Sequence, residues 1–292
     1  MKNLIVRAIT GVLFVAIIVA SFLDPIAMAA LFALVTGLTI WEFTSLVNEH
    51  IPAATVDRII STMAGVFFFL AIFGFCFDIV QSKVFLAYLF TIVYLFISEL
   101  YLKHENPINC WAYTMLAQMY IALPLSCINI LAFHATPDGV VHFNSLLPLS
   151  VFIFLWVSDT GAYCCGSLFG KHKLFPRISP GKTWEGSVGG GILVLCAAAI
   201  IYYCEQTMNS GNAEMAQNHI LTLPQWMGLG LTVCVFGTWG DLVESLFKRT
   251  IGIKDSGNIL PGHGGMLDRF DSSLMAFPAA VVYILLLNTF GS

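Results

Sequence analysis

Residues 187–204 read SVGGGILVLCAAAIIYYC and carry no charged side chain. A helix needs about 20 apolar residues to cross a bilayer, so this run is close to one span. Lipid offers no hydrogen bonds to the backbone, which makes a helix the expected structure. The whole chain has 292 residues, of which 58% are hydrophobic and 10% charged, whereas soluble domains carry about 25% charged residues. The sequence therefore predicts an all-α, polytopic integral membrane protein.

Similar apolar segments recur along the whole chain and predict about nine transmembrane helices. They lie near 4–23, 26–47, 58–77, 83–102, 110–133, 145–165, 187–204, 223–247 and 272–290. We interpret 1–135 as a scaffold of transmembrane helices and 136–292 as the region that carries the chemistry. Lys2 and Arg7 precede the apolar core of the first segment, so a cleaved signal peptide is the alternative to a retained helix.

The positions of the basic residues predict the orientation of the chain. If the N-terminus is cytoplasmic, Lys83 is the one basic residue that falls outside, and the long outer loop at 205–222 has none. Cytoplasmic loops are enriched in Lys and Arg. Two cytoplasmic loops, 166–186 and 248–271, together hold eight of the 13 basic residues. An active site in this region would face the cytoplasm.

The eight cysteines lie mostly in apolar segments and form no CxxC pair. Buried free thiols are therefore the favoured interpretation, and a metal or disulfide framework is not expected from the cysteines. We expect no nucleic-acid partner.

The stretch 240–249, GDLVESLFKR, extends an apolar helix with polar residues. Asp241, Glu244, Ser245 and Lys248 have the spacing of one helical face. A solvated helix end with a Glu244–Lys248 ion pair is one interpretation. We favour a functional site, because ionisable groups close to the membrane are costly and usually mark one.

The stretch 254–265, KDSGNILPGHGG, is predicted to be a loop because proline and glycines interrupt a helix. Glycine-rich backbone can present N–H groups to a phosphate. The alternative is a flexible loop with cations that reach along the membrane surface. The glycines are Gly262, Gly264 and Gly265, and the cations that would hold phosphates are Lys248, Arg249, Lys254 and Arg269.

Asp268 and Asp271 in LDRFD, 267–271, face the same way if the last helix begins there. Carboxylates beside a phosphate site suit Mg²⁺, which prefers oxygen ligands and shares them with substrate phosphates. The alternative role is an N-terminal cap, where aspartate is stabilising.

Two stretches in or next to the other cytoplasmic loop add polar residues. SDTGAY, 158–163, holds Asp159, and SPGKTWEG, 179–186, holds Lys182 and Glu185. The Gly-Lys-Thr in the second is not a P-loop, because position 176 is proline where a glycine is required and no strand is predicted before it.

Gly186 and Gly190 have the spacing of a close helix–helix contact rather than of a dinucleotide fingerprint.

Residues 245–271, SLFKRTIGIKDSGNILPGHGGMLDRFD, resemble the signature of the phosphatidate cytidylyltransferases. SDTGAY and SPGKTWEG are also similar to this family. The resemblance implies an enzyme of phospholipid biosynthesis that converts CTP and phosphatidic acid into CDP-diacylglycerol and pyrophosphate. It further implies a bacterial inner-membrane protein, a homodimer and Mg²⁺, with a second divalent or a monovalent cation as an open alternative.

The resemblance also implies roles for single residues. Asp241, Asp268 and Asp271 would hold the cations, and His263 would bond to a phosphate oxygen or organise the loop. Lys248, Arg249, Lys254 and Arg269 would act on the phosphates. Substrate binding would involve Asp159, Lys182, Glu185, Ser245, Gly262, Gly264 and Gly265.

Two other functions remain open from the sequence. One is a cytidylyltransferase or kinase that acts on a different lipid phosphate or alcohol. The other is a membrane transporter, since intramembrane carboxylates and broken helices occur there too.

Overall fold

The computed structural model describes residues 2–136, 139–209, 220–257 and 264–290. It consists of ten α-helices, one π-helical turn and two short β-hairpins. The elements are α1 (Lys2–Ser21), α2 (Pro25–His50), α3 (Arg58–Cys76), α4 (Val84–Leu102), α5 (Pro107–Ala117), the π-turn (Gln118–Ala122), α6 (Leu123–Ala132), β1 (Phe133–Ala135), β2 (Val141–Phe143), α7 (Leu146–Phe169), β3 (Lys173–Phe175), β4 (Ser179–Thr183), α8 (Trp184–Asn209), α9 (Leu223–Thr250) and α10 (Leu267–Phe290).

Helices long and apolar enough to cross a membrane dominate the described residues. Eight qualify, and α5, the π-turn and α6 together form one of them, Pro107–Ala132. The prediction of an all-α polytopic membrane protein is confirmed. The apolar part of α1, Ile9–Ser21, is shorter than a typical span, so the count of nine helices and the cytoplasmic N-terminus stay predictions.

The chain divides into two compact units. The first unit comprises Met1–Pro148 and Phe247–Leu274, and the second comprises Leu149–Leu246 and Met275–Ser292. The sequence analysis placed the boundary near residue 135 and put the whole C-terminal half in one region. The first unit also contains the end of α9 and the start of α10, and the two predicted regions stay predictions.

Aromatic packing fixes the start of α10 within the first unit. Phe270 is fully buried. Its ring lies 5.7 Å from that of Phe14 and 6.3 Å from that of Phe32, both edge to face. Buried aromatic pairs of this kind stabilise beyond the area they bury. The first turn of α10 is therefore anchored against α1 and α2.

A proline explains the π-turn in the span Pro107–Ala132 of the first unit. Pro124 lies in the first turn of α6, directly after the turn Gln118–Ala122. Proline has no N–H and cannot continue the regular helical bonding, so the backbone widens for one turn. Gln118 in this turn donates from Nε2 to the carbonyl oxygen of Ser61, 2.9 Å away, and so ties it to α3.

Glycines allow α7 and α8 of the second unit to approach closely. A Cβ on Gly186 would lie 2.7 Å from the carbonyl oxygen of Ala162, and one on Gly190 would lie 2.8 Å from that of Ser158. Both distances are too short for a real side chain. The prediction that this glycine pair serves helix packing is confirmed.

A buried tryptophan joins α8 to α9 in the same unit. Trp226 is fully buried, and its indole N–H donates to Glu205 Oε2 at 3.2 Å. Glu205 Oε1 accepts from the backbone N–H of Ile220 at 2.7 Å. Both carboxylate oxygens are thus satisfied, as burial of a charged group requires.

A β-hairpin connects α7 to α8, where the sequence predicted no strand before the Gly-Lys-Thr stretch. β3 pairs antiparallel with β4, with Lys173 opposite Thr183. That prediction was wrong, because a three-residue strand is too short to show alternation in the sequence. The rejection of a P-loop is unaffected, since Gly181 and Lys182 lie within β4 rather than in a loop before a helix.

The glycines of α8 give a test of this packing with an internal control. Gly190→Ala should lower the free energy of unfolding by about 1–3 kcal/mol, because the added methyl meets the Ser158 carbonyl. In Gly191→Ala, the nearest atom to the added methyl is Leu231 Cδ2 at 4.0 Å. Thermal unfolding of both variants in the same detergent should show a loss of stability for the first and none for the second. Equal stability would show that the close contact does not exist.

Candidate active site

A polar pocket in the second unit collects three of the predicted site residues. Asp159 from α7, Lys182 from β4 and Asp241 from α9 line it, together with Ser158 and Thr238. Its volume is about 190 Å³, below the 300 to 1,000 Å³ typical of pockets for drug-sized ligands. The pocket therefore has room for part of a substrate, such as one or two phosphate groups.

Asp241 and Lys182 form an ion pair in this pocket. Lys182 Nζ lies 2.5 Å from Asp241 Oδ2, and the two side chains are 24% and 30% exposed. The other oxygen, Oδ1, accepts a hydrogen bond from Ser245 Oγ at 3.1 Å, one helical turn further along α9. Ser245, which the sequence analysis predicted to bind substrate, thus orients the Asp241 carboxylate in this structure.

Glu185 fixes the start of the hairpin that carries Lys182. It lies in the first turn of α8, and its carboxylate accepts from the backbone N–H groups of Lys171 and His172 at 3.2 Å. His172 Nδ1 lies 2.5 Å from Glu185 Oε1. In this structure Glu185, predicted to bind substrate, organises the loop that positions Lys182.

In the first unit, Asp268 closes the loop between α9 and α10. Lys248 Nζ lies 2.6 Å from Asp268 Oδ1, and the two side chains are only 11% and 8% exposed. Asp268 Oδ2 accepts from the backbone N–H groups of Ser256 and Gly265, both at 2.9 Å. One carboxylate thus bonds to the end of α9, the middle of the loop and the residues before α10.

A second buried carboxylate, Glu42 of α2, holds the same loop from the other side. It is 5% exposed and accepts from the backbone N–H groups of Met266 at 2.8 Å and Leu267 at 3.1 Å. The Ser256 hydroxyl also donates to it. The first N–H groups of a helix have no partner within the helix, so Glu42 supplies a cap for α10 from a distant part of the chain.

The sequence analysis missed Glu42 because it interpreted the N-terminal half as scaffold. The signal was nevertheless present, since a glutamate inside the apolar segment 26–47 is costly unless it has a defined partner. The partner itself is more than 200 residues away, as the separation of 224 residues to Met266 shows.

The described glycines of the loop serve its backbone geometry. Gly264 has φ +87°, which favours glycine. Gly265 is buried against Glu42 and Ser256, where a Cβ would overlap the carboxylate. Its N–H is bonded to Asp268 rather than presented to a ligand. Gly262 and His263 lie outside the described residues, and their predicted roles stay predictions.

Three of the predicted cations lie at the surface of the first unit. Arg249, Lys254 and Arg269 are exposed, and Arg249 Nη1 donates to the carbonyl oxygen of Ile253 at 3.0 Å. Lys248 differs from them because it is buried in its pair with Asp268. The three exposed side chains can therefore bind an anionic ligand, whereas Lys248 is already paired with Asp268.

The aspartates predicted to hold cations fall into two groups. Asp241 belongs to the second unit, while Asp268 in the first turn of α10 and Asp271 directly after that turn belong to the first unit. Their convergence on one site stays a prediction. Asp159 and Asp241 are carboxylates that line one pocket, a donor set that suits Mg²⁺. Both oxygens of Asp268 already accept from protein donors, so it fits a direct ligand less well.

Comparisons with known proteins place the chain in a family. A model described as "Cytidylyltransferase family" matches residues 4–287. A phosphatidate cytidylyltransferase of Haemophilus influenzae is 33% identical over 291 residues, which cover 95% of this chain and 96% of the relative.

Staphylococcal relatives with the same name match a shorter segment more closely. Identity is 44% over 154 residues for a protein of Staphylococcus aureus (strain COL), and this match covers 52% of each chain. For Staphylococcus haemolyticus it is 43% over 154 residues. In these matches the chain spans about half the length of the relatives. From the family model and the Haemophilus match together, the chain belongs to the cytidylyltransferase family.

Proposed function

We propose that this protein transfers the cytidylyl group of CTP to phosphatidate, giving CDP-diacylglycerol and pyrophosphate. The observation that carries the proposal is the polar pocket of Asp159, Lys182 and Asp241 in a chain that is otherwise apolar. The names of the relatives supply the substrate class. A membrane protein with a charged pocket can bind a lipid phosphate whose acyl chains stay in the bilayer.

The reaction requires positioning more than proton transfer. The second pKa of a phosphate monoester is near 6, so phosphatidate is largely a dianion at neutral pH. One of its oxygens attacks the α-phosphorus of CTP, a new P–O bond forms, and the bond to pyrophosphate breaks in line. The enzyme has to bring two anions together, and removing their repulsion supplies most of the catalysis.

The charged residues divide this task. Lys182 can exchange its carboxylate partner for a phosphate oxygen, because the pair is only partly buried and such pairs are weak. The exposed Arg249, Lys254 and Arg269 would bind further phosphate oxygens, and arginine does so with two parallel bonds. Asp159 and Asp241, with Asp271 as a further predicted ligand, would hold Mg²⁺, which neutralises phosphate charge when bound.

Asp268 has a different role in this proposal. Its bonds to Lys248, Ser256 and Gly265 set the path of the loop that carries Lys254 and precedes Arg269. We therefore infer that Asp268 positions the loop, and its coordination of a cation, implied by the family resemblance, is the alternative that the experiment below decides.

We also propose a site that faces the cytoplasm of a bacterial inner membrane. The loops 166–186 and 248–271 hold eight of the 13 basic residues of the chain. Such enrichment in Lys and Arg is typical of cytoplasmic loops. CTP would then reach the site from the cytoplasm. The homodimer implied by the family resemblance stays a prediction.

The reaction can be tested with CTP labelled either at the α-phosphate or at the γ-phosphate. Purified protein in detergent with phosphatidate and Mg²⁺ should transfer the α-label to lipid and release the γ-label as pyrophosphate, in equal amounts. Lys182→Met should reduce the rate at least about a hundredfold, since it removes one charge that stabilises the transition state. Lys173→Met, which changes an exposed lysine in the same hairpin, is the matched control and should be active.

Other outcomes identify the competing functions. Transfer of the γ-label to lipid indicates a kinase, and activity with another lipid phosphate but not with phosphatidate indicates a related transferase. Substrate flux into vesicles without labelled lipid indicates a transporter. Any of these results contradicts the proposal.

A Mg²⁺ titration separates the roles of the two paired aspartates. Asp241→Asn should raise the Mg²⁺ concentration needed for half-maximal activity, because it removes a charged ligand. Asp268→Asn should lower kcat with an unchanged Mg²⁺ requirement, because it breaks the pair with Lys248 and loosens the loop. If Asp268→Asn instead shifts the Mg²⁺ requirement as Asp241→Asn does, Asp268 is a cation ligand.

Glu42→Gln tests whether α2 positions the loop. The amide group keeps the size of the side chain but turns an N–H₂ toward at least one of the three donors, an arrangement that costs about 1–3 kcal/mol. Amide hydrogen exchange at residues 264–268 should become faster, and kcat should fall up to about a hundredfold through misplacement of the loop.

The matched control for that experiment is Glu49→Gln, which changes an exposed glutamate on the same helix. It should leave exchange and activity unchanged. Glu42→Asp keeps the charge but is one methylene shorter, so it should also speed exchange, because the carboxylate no longer reaches all of its donors. Unaltered exchange at 264–268 in Glu42→Gln would exclude the positioning role.

A further inference from the structure

Three potential metal ligands meet at the connection between α4 and α5 in the first unit. Glu99 lies in the last turn of α4, His104 lies in the connection, and Cys110 lies in the first turn of α5. Glu99 is 9% exposed and Cys110 is fully buried. None of the three belongs to the site proposed above, and the sequence analysis expected no metal framework from the cysteines.

The ligand atoms of these residues are close together. Glu99 Oε2 lies 2.8 Å from His104 Nδ1, and Cys110 Sγ lies 3.8 Å from the same nitrogen. One ligand atom from each residue lies within 4.8 Å of the others. Bonds of about 2.0 to 2.3 Å in a tetrahedral site separate ligand atoms by roughly 3.3 to 3.8 Å. The cluster needs only a small widening at Glu99 and His104 to hold an ion.

The backbone holds the three residues in a tight turn. Lys103 has φ +53°, which ends α4 and reverses the chain. Asn106 caps α5, since its side chain accepts from the backbone N–H of Asn109 at 3.1 Å. Pro107 occupies the first turn, where its missing N–H costs nothing. The positions of His104 and Cys110 are therefore fixed by local structure before any ligand arrives.

A backbone N–H group also contacts the sulfur of Cys110. The N–H of Thr55, in the segment between α2 and α3, donates to Cys110 Sγ at 3.3 Å. Such a bond holds the sulfur in place, and ligands in metal sites are typically oriented by partners of this kind.

We propose that Glu99, His104 and Cys110 bind one Zn²⁺ ion. Thiolate, imidazole and carboxylate are the ligand types that zinc takes in proteins, and water would complete four-coordination. The thiolate disfavours Mg²⁺, so the ion differs from the one expected at the active site. Bound zinc ties α4 to α5 and, through Thr55, to the segment after α2. Its role in this proposal is to stabilise the first unit.

Metal analysis of the full-length protein, with any affinity tag removed, tests the proposal. After incubation with Zn²⁺ and removal of excess, wild-type protein should retain about one zinc per chain. His104→Gln and Cys110→Ser should bind it at least about tenfold more weakly, as expected when a ligand is lost. Cys127→Ser, which changes another buried thiol of the same unit, is the matched control and should retain the ion.

Substitution by Co²⁺ adds a readout that is specific to the sulfur. Wild-type protein should show the absorption of a cobalt–thiolate bond, which Cys110→Ser lacks and Cys127→Ser keeps. Zn²⁺ should also raise the Tm of the wild type but not that of His104→Gln, a change at a partly exposed side chain that is expected to fold. Equal zinc content in wild type and His104→Gln, or no cobalt–thiolate band in the wild type, would show that the three residues form only a hydrogen-bonded cluster.

Discussion

The loop between α9 and α10 depends on two buried carboxylates that accept hydrogen bonds from its backbone. A carboxylate in an apolar environment is stable only when its oxygens accept hydrogen bonds. Asp268 meets this condition with Lys248 and two N–H groups, and Glu42 meets it with two N–H groups and a hydroxyl. Both therefore need Ser256 and residues 265–267, at the described ends of the loop, in one conformation.

The two carboxylates are linked through one serine. The Ser256 hydroxyl donates to Glu42 and accepts from the N–H of Asp268 at 3.3 Å. Partly satisfied polar networks are costly, whereas complete ones specify a single arrangement. This constraint explains how Ser256 and the described residues before α10 are held next to the helix ends.

The ion pair of Lys182 and Asp241 has the opposite character. Both side chains are about a quarter exposed, so solvent screens their attraction and the pair contributes little to stability. A ligand phosphate can replace the carboxylate at low cost. The buried carboxylates Asp268 and Glu42 thus fix the described ends of the loop, whereas the Lys182–Asp241 pair is accessible and can exchange partners.

Local patterns in the sequence predict much of this architecture, but long-range contacts lie beyond them. Apolar runs identify the helices, and the spacing of Gly186 and Gly190 indicates a close helix–helix contact, whose partner α7 is known only from the structure. The partner of Lys248 is 20 residues away and that of Glu42 more than 200, so no periodicity reveals them. The β3–β4 hairpin escapes detection because its strands are too short for alternation.

The N-terminal helices of the first unit consequently also position the loop before α10, through Glu42. Apolar helices there could be replaced by others of similar shape, since hydrophobic cores tolerate volume-conserving changes. Glu42 has no such substitute, because only an acceptor of the right length can cap α10 and receive the Ser256 hydroxyl. A change in α2 that shifts Glu42 by one helical position would turn it about 100° away. The register of an early helix is thus fixed by a loop near the other end of the chain, which couples the folding of the scaffold to the geometry of that loop.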